Sequence, residues 1–327
     1  MKKITILALK DTGATTVTGP LEVFHLAGSF WNHLHQIEQT PYFQVELVTV
    51  DGEPSRGLGG VFIQAHSSIH EVEQTDLILI STIVGDIEKA LDTNKEAIPW
   101  LRRHHEQGAS IAAICNGSFI LAETGLLDGK VATTHWGYAK QFRQRYPKID
   151  LKPERLITDE GTLFCSGAAN SCFDLSFYLI ERFCGHEVTV QCAKSLLHDT
   201  GRISQTPYAA LDLQTDHQDE PILAVQKWIE DNYAKEFKIE QISKNQGMSL
   251  RTFERRFKSA TGDTPSVYLQ RVRVEAAKRQ LEADAQTFDE IVYQVGYEDS
   301  SFFRKVFKKY TGLSPKEYRN KFRRIDR

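Results

Sequence analysis

Over the first 198 residues, apolar positions fall into short continuous runs: KKITILAL at 2–9, YFQVELVTV at 42–50, TDLILI at 75–80 and ASIAAI at 109–114. Unbroken runs, rather than strict alternation, predict strands covered on both faces, as in parallel sheets. Stretches with helical spacing separate them, such as GPLEVFHLAGSFWNHL at 19–34. The pattern predicts an α/β sandwich with a largely parallel sheet. Beyond about residue 220 the period becomes helical throughout. Leu250, Phe253, Phe257 and Ala260 share one helix face, and Phe303, Val306, Phe307 and Tyr310 share another at i, i+3, i+4, i+7. Residues 266–283 read as one helix, with Arg271, Glu275, Lys278 and Glu282 on a narrow polar face and apolar residues around the rest. So wide an apolar arc predicts a helix packed against modules on both sides, setting their spacing.

Those modules repeat. Ile242, Gly247, Phe253, Phe257, Gly262, Pro265 and Tyr268 recur as Ile291, Gly296, Phe303, Phe307, Gly312, Pro315 and Tyr318. The offset is 49 up to the glycine turn and 50 from Phe253 onward, so the second copy carries one extra residue near its turn. In each copy a glycine tolerant of positive φ ends one helix, and Ser249 or Asp299 is placed to cap the next. This is the punctuation of a helix-turn-helix, and it predicts an all-α domain with two such motifs. Opposite the apolar faces lie Arg251, Arg255 and Lys258 in the first copy and Ser301, Lys305 and Lys308 in the second, with Arg304 and Lys309 beside them. A basic face on one amphipathic helix is usually a solvated surface. Placed twice, each time just after a glycine turn, it suits DNA: guanidinium pairs with guanine edges and ammonium neutralises phosphate.

The run GYEDSSFFRKVFKKYTGLSPKEYR at 296–319 resembles the signature of AraC/XylS-family transcription regulators, and the first copy resembles that family's other helix-turn-helix. The resemblance covers about 220–325 and implies seven helices, two of them entering successive major grooves of double-stranded promoter or operator DNA. It implies base contacts from Ser249, Arg251, Thr252 and Arg255 and from Asp299, Ser300, Ser301 and Arg304. Phosphate contacts are implied for Lys258, Lys305, Lys308 and Lys309. Ser243 and Val292 stand where the family often has alanine, a departure that bears on packing.

The 327 residues, 41% hydrophobic and 25% charged, are ordinary globular composition and enough for two domains. The first apolar stretch is too short for a membrane span and lacks a small-residue cleavage site, so it reads as the first strand of a cytoplasmic protein. Five cysteines without a CxxC pair argue against a disulfide framework and a zinc site. Cys165, Cys172, Cys184 and Cys192 are expected in the core. His33, His35, His66, His70, His104 and His105 are expected to be exposed, and neither a metal ion nor a cofactor is expected. The overall charge of −3 hides an asymmetry: residues 219–327 carry +5 and residues 1–218 carry −8. Only the C-terminal part is built to approach a polyanion. The polar segment 199–221 suits a linker between a domain at 1–198 and a DNA-binding domain at 222–327.

Within ASIAAICNGSFILAETGLLDG, a buried strand ends at Ile114, Cys115 follows, and Gly117 allows a tight entry into a helix. A side chain at such a corner stands over the carboxyl edge of the sheet, where helix N–H groups would favour a thiolate. This corner resembles the nucleophile elbow of the class I glutamine-amidotransferase-like, or PfpI-like, superfamily. The resemblance covers roughly 3–195 and is strongest in AICNGSFILAETGLLDGKVATTHW, a segment typical of AraC-type regulators that carry this domain. PfpI-like proteases have histidine directly after the cysteine; this chain has Asn116. Where related members use a glutamate on the first strand-to-helix connection, alignment places Thr16. His135 is the one histidine that alignment brings near the elbow. Three readings of Cys115 stand side by side: a small buried residue, part of a small-molecule pocket with Thr16, Asn116, His135 and Trp136, or a redox-active nucleophile. The pocket is preferred, because crevices at the switch point of α/β sheets are where ligands usually bind. No catalytic residue is expected.

The expectation is a sequence-specific transcriptional regulator controlled by a small-molecule effector in its PfpI-like domain. The resemblance implies a homodimer and effectors among nitrogenous metabolites, with RNA polymerase as a further partner of such a regulator. The competing expectation is a cysteine-dependent amidase or glyoxalase-like enzyme fused to a DNA-binding domain.

Overall fold

The computed structural model describes residues 1–210, 217–283 and 286–323. They form two compact units, Met1–Gln205 and Thr206–Arg327, taken separately here. Their boundary falls inside the polar segment 199–221, of which residues 211–216 lie outside the described ones.

The first unit begins with β1 (Lys2–Leu7), α1 (Thr15–Leu26), α2 (Phe30–Leu34), β2 (Phe43–Thr49), β3 (Ser55–Arg56), β4 (Phe62–Ile63) and β5 (Ser67–Ser68). It continues through β6 (Leu77–Ile80), α3 (Ile87–Thr93), α4 (Ala97–Glu106), β7 (Ser110–Ile114), α5 (Ser118–Glu123) and β8 (Val131–Ala132). It closes with α6 (Ala139–Arg145), β9 (Asp150–Leu151), β10 (Ile157–Asp159), β11 (Leu163–Ser166), α7 (Ser171–Cys184) and α8 (His186–Ser195). Seven strands form one sheet in the order β10-β11-β7-β6-β1-β2-β5, parallel except where β10 meets β11.

The continuous apolar runs have the expected cause. Ile4 and Ile6 of β1, Leu77 and Leu79 of β6, and Ala112 and Ile114 of β7 enter the core beneath α1, α7 and α8. Leu7, Ile78, Ile80, Ile111 and Ala113 enter the opposite core with Leu101, Phe119 and Phe142. Both faces of the sheet are therefore dry, and α/β architecture with a largely parallel sheet is what the chain forms. The stretch 19–34 is not one helix: α1 already starts at Thr15, and the chain breaks at Gly28. Gly28 has φ +78, and a Cβ there would stand 2.1 Å from the Thr40 carbonyl oxygen.

Cys165, Cys172 and Cys192 are buried as expected, while Cys184 is half-buried. His33, His35, His66 and His70 are exposed and His105 is half-buried, but His104 is 1% exposed, with the Trp100 ring edge-on at 4.9 Å. Its place on the inward face of α4, beside Trp100 and Leu101, outweighs its polarity. Burial pushes its pKa below the ordinary value, and nearby Arg103 and Lys3 push the same way.

The second unit contains α9 (Glu220–Asn232), α10 (Ile239–Asn245), α11 (Leu250–Thr261), α12 (Pro265–Ala283), α13 (Phe288–Gln294), α14 (Ser300–Thr311) and α15 (Pro315–Phe322). It has two cores. Phe253, Phe257, Tyr268 and Val272 form one with Ile222 and Ile229. Val274, Ala277 and Leu281 join Ile291, Phe303, Phe307 and Tyr318 in the other. One helix, α12, thus serves both modules.

The duplication extends to atoms. Thr261 and Thr311 each donate a hydroxyl back to the carbonyl four residues earlier, at 2.8 Å in both copies. Gly262 and Gly312 follow as left-handed caps at φ +79 and +74. Tyr268 and Tyr318 each donate their phenol to a glutamate, Glu230 at 2.6 Å and Glu282 at 2.5 Å. The polar face of α12 differs from expectation at Lys278, which is 7% exposed. Its ammonium donates to the Ala209 carbonyl at 2.8 Å and pairs with Glu275 at 2.9 Å, so residues just after Gln205 cover that face.

Phe257→Ala and Phe307→Ala each empty one of the two helical cores, and each is expected to destabilise the helical unit by about 3–5 kcal/mol, read by denaturant titration of the full chain. For the first unit, the folded state keeps His104 neutral while the unfolded chain takes up a proton near 6.5. The stability this contributes is complete above that pH and declines as pH falls through it. Unfolding midpoints should therefore drop between neutral and mildly acidic pH, and His104→Gln should flatten that slope.

Candidate functional site

The corner at Cys115 follows β7 directly, and Ile114 and Cys115 both belong to the core beneath α1, α7 and α8. Cys115 adopts φ +57, a conformation that an L-residue holds only when its surroundings enforce it. Gly117 provides the enforcement: a Cβ on it would lie 2.3 Å from the Ser81 carbonyl oxygen, so only glycine lets the turn close against the end of β6.

Around this corner the structure gathers buried polar groups, most of them bonded to one another or to nearby backbone, although Ser166 Oγ, beside Ile114 on β11, is buried with no hydrogen-bond partner among the described residues. Asn116 is 2% exposed; its Oδ1 accepts from the Ile83 N–H at 2.8 Å and from the Thr82 hydroxyl, and its Nδ2 donates to the Ile83 carbonyl at 3.0 Å. Thr16, fully buried, accepts from the Thr82 N–H at 3.2 Å and donates to the Gly13 carbonyl at 2.7 Å. Ser118 donates to the Cys115 carbonyl at 2.9 Å, and Thr134 donates to the same oxygen at 3.3 Å. Thr16, Cys115 and Asn116 are thus joined through Thr82, and the segment before His135 is tied to Cys115 through Thr134.

The electrostatics of the thiol oppose the thiolate expected from helix geometry. Burial pushes the Cys115 thiol up, against weaker contributions from the Thr82 hydroxyl and the N–H groups of Asn116 and Ala169. His135 is not among these groups. Its Nδ1 accepts from the Gly137 N–H at 3.0 Å, and its ring stacks on Trp136 at 5.1 Å and stands edge-on to Tyr138 at 6.0 Å. Burial lowers its pKa, which keeps it a neutral acceptor. The arrangement is a polar network under a buried thiol, and among the described residues no histidine or carboxylate figures in the thiol's electrostatics.

Composition concealed one member of this neighbourhood. Gln205 lies in the polar segment 199–221, yet it is 2% exposed. Its amide Nε2 donates to the Thr134 carbonyl at 2.8 Å and to Thr133 Oγ1 and the Arg155 carbonyl at 3.2 Å, while its Oε1 accepts from the Trp136 N–H at 3.2 Å. The residues leading to it are held as well: Arg202 forms a two-pronged ion pair with the buried Asp174. A single buried amide leaves no periodic signal. Its one sequence-level trace is Gly167, where a Cβ would come within 2.7 Å of the Gln205 side chain.

In the second unit, α11 and α14 present their basic residues as the pattern implied. Arg251, Thr252, Arg255 and Lys258 are exposed on α11, and Ser301, Arg304, Lys305, Lys308 and Lys309 on α14. Ser249 and Asp299 are caps. Ser249 Oγ accepts from the Thr252 N–H at 3.3 Å, and Asp299 accepts from the N–H groups of Ser301 and Phe302 at 2.8 and 3.0 Å. Ser300 is half-buried. The Arg304 guanidinium lies 5.0 Å from the centre of the Phe288 ring, which orients it. Arg256, by contrast, turns back to form a two-pronged pair with Asp219.

Comparison with known proteins gives concordant results for both units. Residues 2–182 match the DJ-1/PfpI family, and residues 242–321 match a helix-turn-helix domain. The HTH-type transcriptional regulator CdhR of Pseudomonas aeruginosa is 24% identical over 280 residues, covering 85% of this chain and 82% of the relative. The HTH-type transcriptional regulator GlxA of Rhizobium meliloti is 25% identical over 224 residues, 68% of each protein. Among solved structures, an AraC family transcriptional regulator from Pseudomonas putida superposes with a TM-score of 0.52 at 17% identity, covering 60% of this chain and 100% of its own. Drosophila melanogaster DJ-1beta superposes with a TM-score of 0.51 at 19% identity, covering 61% of this chain and 98% of its own. At these identities the two structures speak for the fold of the first unit alone. Through residues 2–182 the chain belongs to the DJ-1/PfpI family, and it joins to that domain an AraC-type helix-turn-helix domain at residues 242–321.

Proposed function

We propose that this chain is a one-component transcription regulator: its helical unit binds double-stranded DNA at chosen sequences, and its DJ-1/PfpI domain senses a small molecule. The observation that supports this most is the duplicated presentation of α11 and α14. Each is capped at its start by a side-chain oxygen and ended by a left-handed glycine, and each is anchored by two phenylalanines with its arginines and lysines facing outward. In this reading Arg251, Thr252, Arg255, Ser301 and Arg304 meet base edges, and Lys258, Lys305, Lys308 and Lys309 meet phosphates. Ser249, Ser300 and Asp299 sit at the helix starts, where their first task is to fix each helix on its turn.

The relatives are named transcriptional regulators, and this chain is read as a binding protein rather than an enzyme. The buried thiol with its raised pKa, to which no histidine among the described residues contributes, supports that reading over an amidase or glyoxalase. Two copies of the chain would offer four recognition helices and raise avidity through effective concentration. A homodimer, contact with RNA polymerase, action in the cytoplasm and a nitrogenous effector all belong to this proposal. The residues leading to Gln205, hydrogen-bonded to Thr133, Thr134 and Trp136, are the part of the sensor whose state bears most directly on the chain that follows.

Fluorescence anisotropy of the purified protein against the DNA upstream of its own gene and against a shuffled control tests the proposal; equal binding to both would leave only nonspecific attraction. On a cognate site, Arg251→Ala and Arg304→Ala should each cost about 1–3 kcal/mol and relax preference at one base position. Lys308→Ala should weaken all sequences alike and reduce the salt slope by about 1. Alkylation followed by mass spectrometry should find Cys115 at least about tenfold slower in the native protein than in the unfolded chain. Faster labelling in the native state would favour the enzyme.

A further inference from the structure

The order of strands in the sheet turns back at β1. From β1 the chain runs to β2 on one side and later returns to β6 on the other, with both pairings parallel. A crevice opens outside the carboxyl ends of two strands related in this way, because the connections leaving them cover opposite faces. Here it is a cleft of about 390 Å³, bounded by Lys10 and Asp11 after β1, by Arg56 and the loop 57–60 between β3 and β4, and by the segment from Val84 to Lys89.

What sets this cleft apart is charge left unmatched. Three other clefts, of about 270, 620 and 220 Å³, are lined by Arg202, Lys3 and Lys10 respectively as their only lysines or arginines. Each of those cations already faces a carboxylate, that of Asp174, Glu46 or Asp51. In the switch-point cleft, the side chains of Arg56 and Lys89 have no carboxylate partner among the described residues. The acids there do not serve them. Asp86 caps α3 by accepting from the Lys89 backbone N–H at 2.8 Å, and the Asp11 side chain forms no hydrogen bond or ion pair among the described residues.

Asp11 is also held in an unusual backbone state, at φ +61. Hydrogen bonds on both sides fix it: its carbonyl accepts from the Val84 N–H at 3.0 Å, and the next residue, Thr12, donates its N–H to the Arg56 carbonyl at 3.0 Å. An aspartate whose backbone is fixed in the lining of a cleft that Arg56 and Lys89 also line is preorganised for a ligand of mixed charge. The apolar rim suits the rest of such a molecule, since Leu58 lines the cleft and is 69% exposed.

We propose that this cleft is the ligand site of the domain and takes a small carboxylate. Arg56 and Lys89 hold the carboxylate, the guanidinium by a two-pronged contact that lysine cannot make. Asp11 favours ligands that also carry a positive group. The inference deepens the regulator reading and rests on it, placing the effector at residues outside the set Thr16, Cys115, Asn116, His135 and Trp136. It also explains how that set would feel the ligand. Thr12, next in the chain to Asp11 and fully buried, donates its hydroxyl to the Thr82 carbonyl at 2.7 Å and lies 2.8 Å from the Ser81 hydroxyl. Thr82 in turn bonds Asn116 and borders the Cys115 thiol.

The test is thermal unfolding of the full chain in three mixtures: the standard L-amino acids, short aliphatic carboxylic acids, and the matching amines. A carboxylate-bearing mixture is expected to raise the Tm of the α/β unit and the amines to leave it unchanged. Arg56→Ala or Lys89→Ala, both surface changes that spare the core, should weaken the responsible compound about tenfold or more, while Lys95→Ala outside the cleft should not. Asp11→Asn should erase any preference for amino acids over plain acids. Absence of a shift with both carboxylate mixtures, or a shift that survives in the Arg56→Ala, Lys89→Ala double variant, overturns the site. The same compound titrated into the DNA-binding assay separates the two ideas. Binding that depends on Arg56 but leaves DNA affinity untouched keeps the site and removes the effector role. A DNA response undiminished in the double variant keeps the effector role and removes the site.

Discussion

A parallel sheet joined by crossover helices has no face to offer water, and the first unit is organised around that constraint. Residues of β1, β6 and β7 alternate between two dry cores, which leaves the carboxyl edge as the place where polar side chains can collect. They do collect there: Thr12, Ser81, Thr82, Asn116, Ser118 and Thr134 are buried within five residues of a strand end, and Thr16 joins them from the start of α1. An unpaired hydroxyl or amide in such surroundings would cost a few kcal/mol. Their mutual hydrogen bonding is therefore a condition of the fold as well as a property of the site.

The same edge holds the corner at Cys115, whose shape and electrostatics pull in different directions. The strained turn at Cys115, and the close approach of Gly117 to the Ser81 carbonyl, reproduce the shape of a nucleophile elbow. What surrounds the sulfur is neutral. Hydroxyls and amides stabilise a thiolate too weakly to overcome burial, and the His135 imidazole accepts from the Gly137 N–H in its own loop. The shape of the corner and the electrostatics of its thiol are thus set by different residues, the first by Gly117 and the second by burial.

The sequence revealed features in proportion to the number of residues each one needs. Long apolar runs revealed β1, β2, β6 and β7, and the repeat revealed both helix-turn-helix modules, because each rests on many positions agreeing. Strands of two or three residues, such as β3, β8 and β10, have too few positions to show a period. Single-residue events were hidden for a related reason. Gln205 and Lys278 are polar by type yet buried by their particular partners, and His104 is buried by its place on α4. At the elbow, spacing showed the corner and the missing base, whereas the direction of the thiol's pKa depends on solvent exclusion that only the packed chain defines. The switch-point cleft is built from β1, β6 and the β3–β4 loop, segments far apart along the chain, and no local motif marks it.

The shared helix α12 has a consequence for the DNA that such a protein can read. Tyr268 and Val272 face one core and Val274, Ala277 and Leu281 the other, so each residue is committed to one module by its angle around the axis. Adding one residue between the two groups would turn the second module by about 100° and aim its recognition helix away from the groove. Only additions close to whole turns keep both faces in register, and each lengthens the helix by about 5.4 Å. The separation of the two reading heads is therefore quantised: descendants of this chain can change it by a full turn or not at all, whereas the bases read at each end can drift freely.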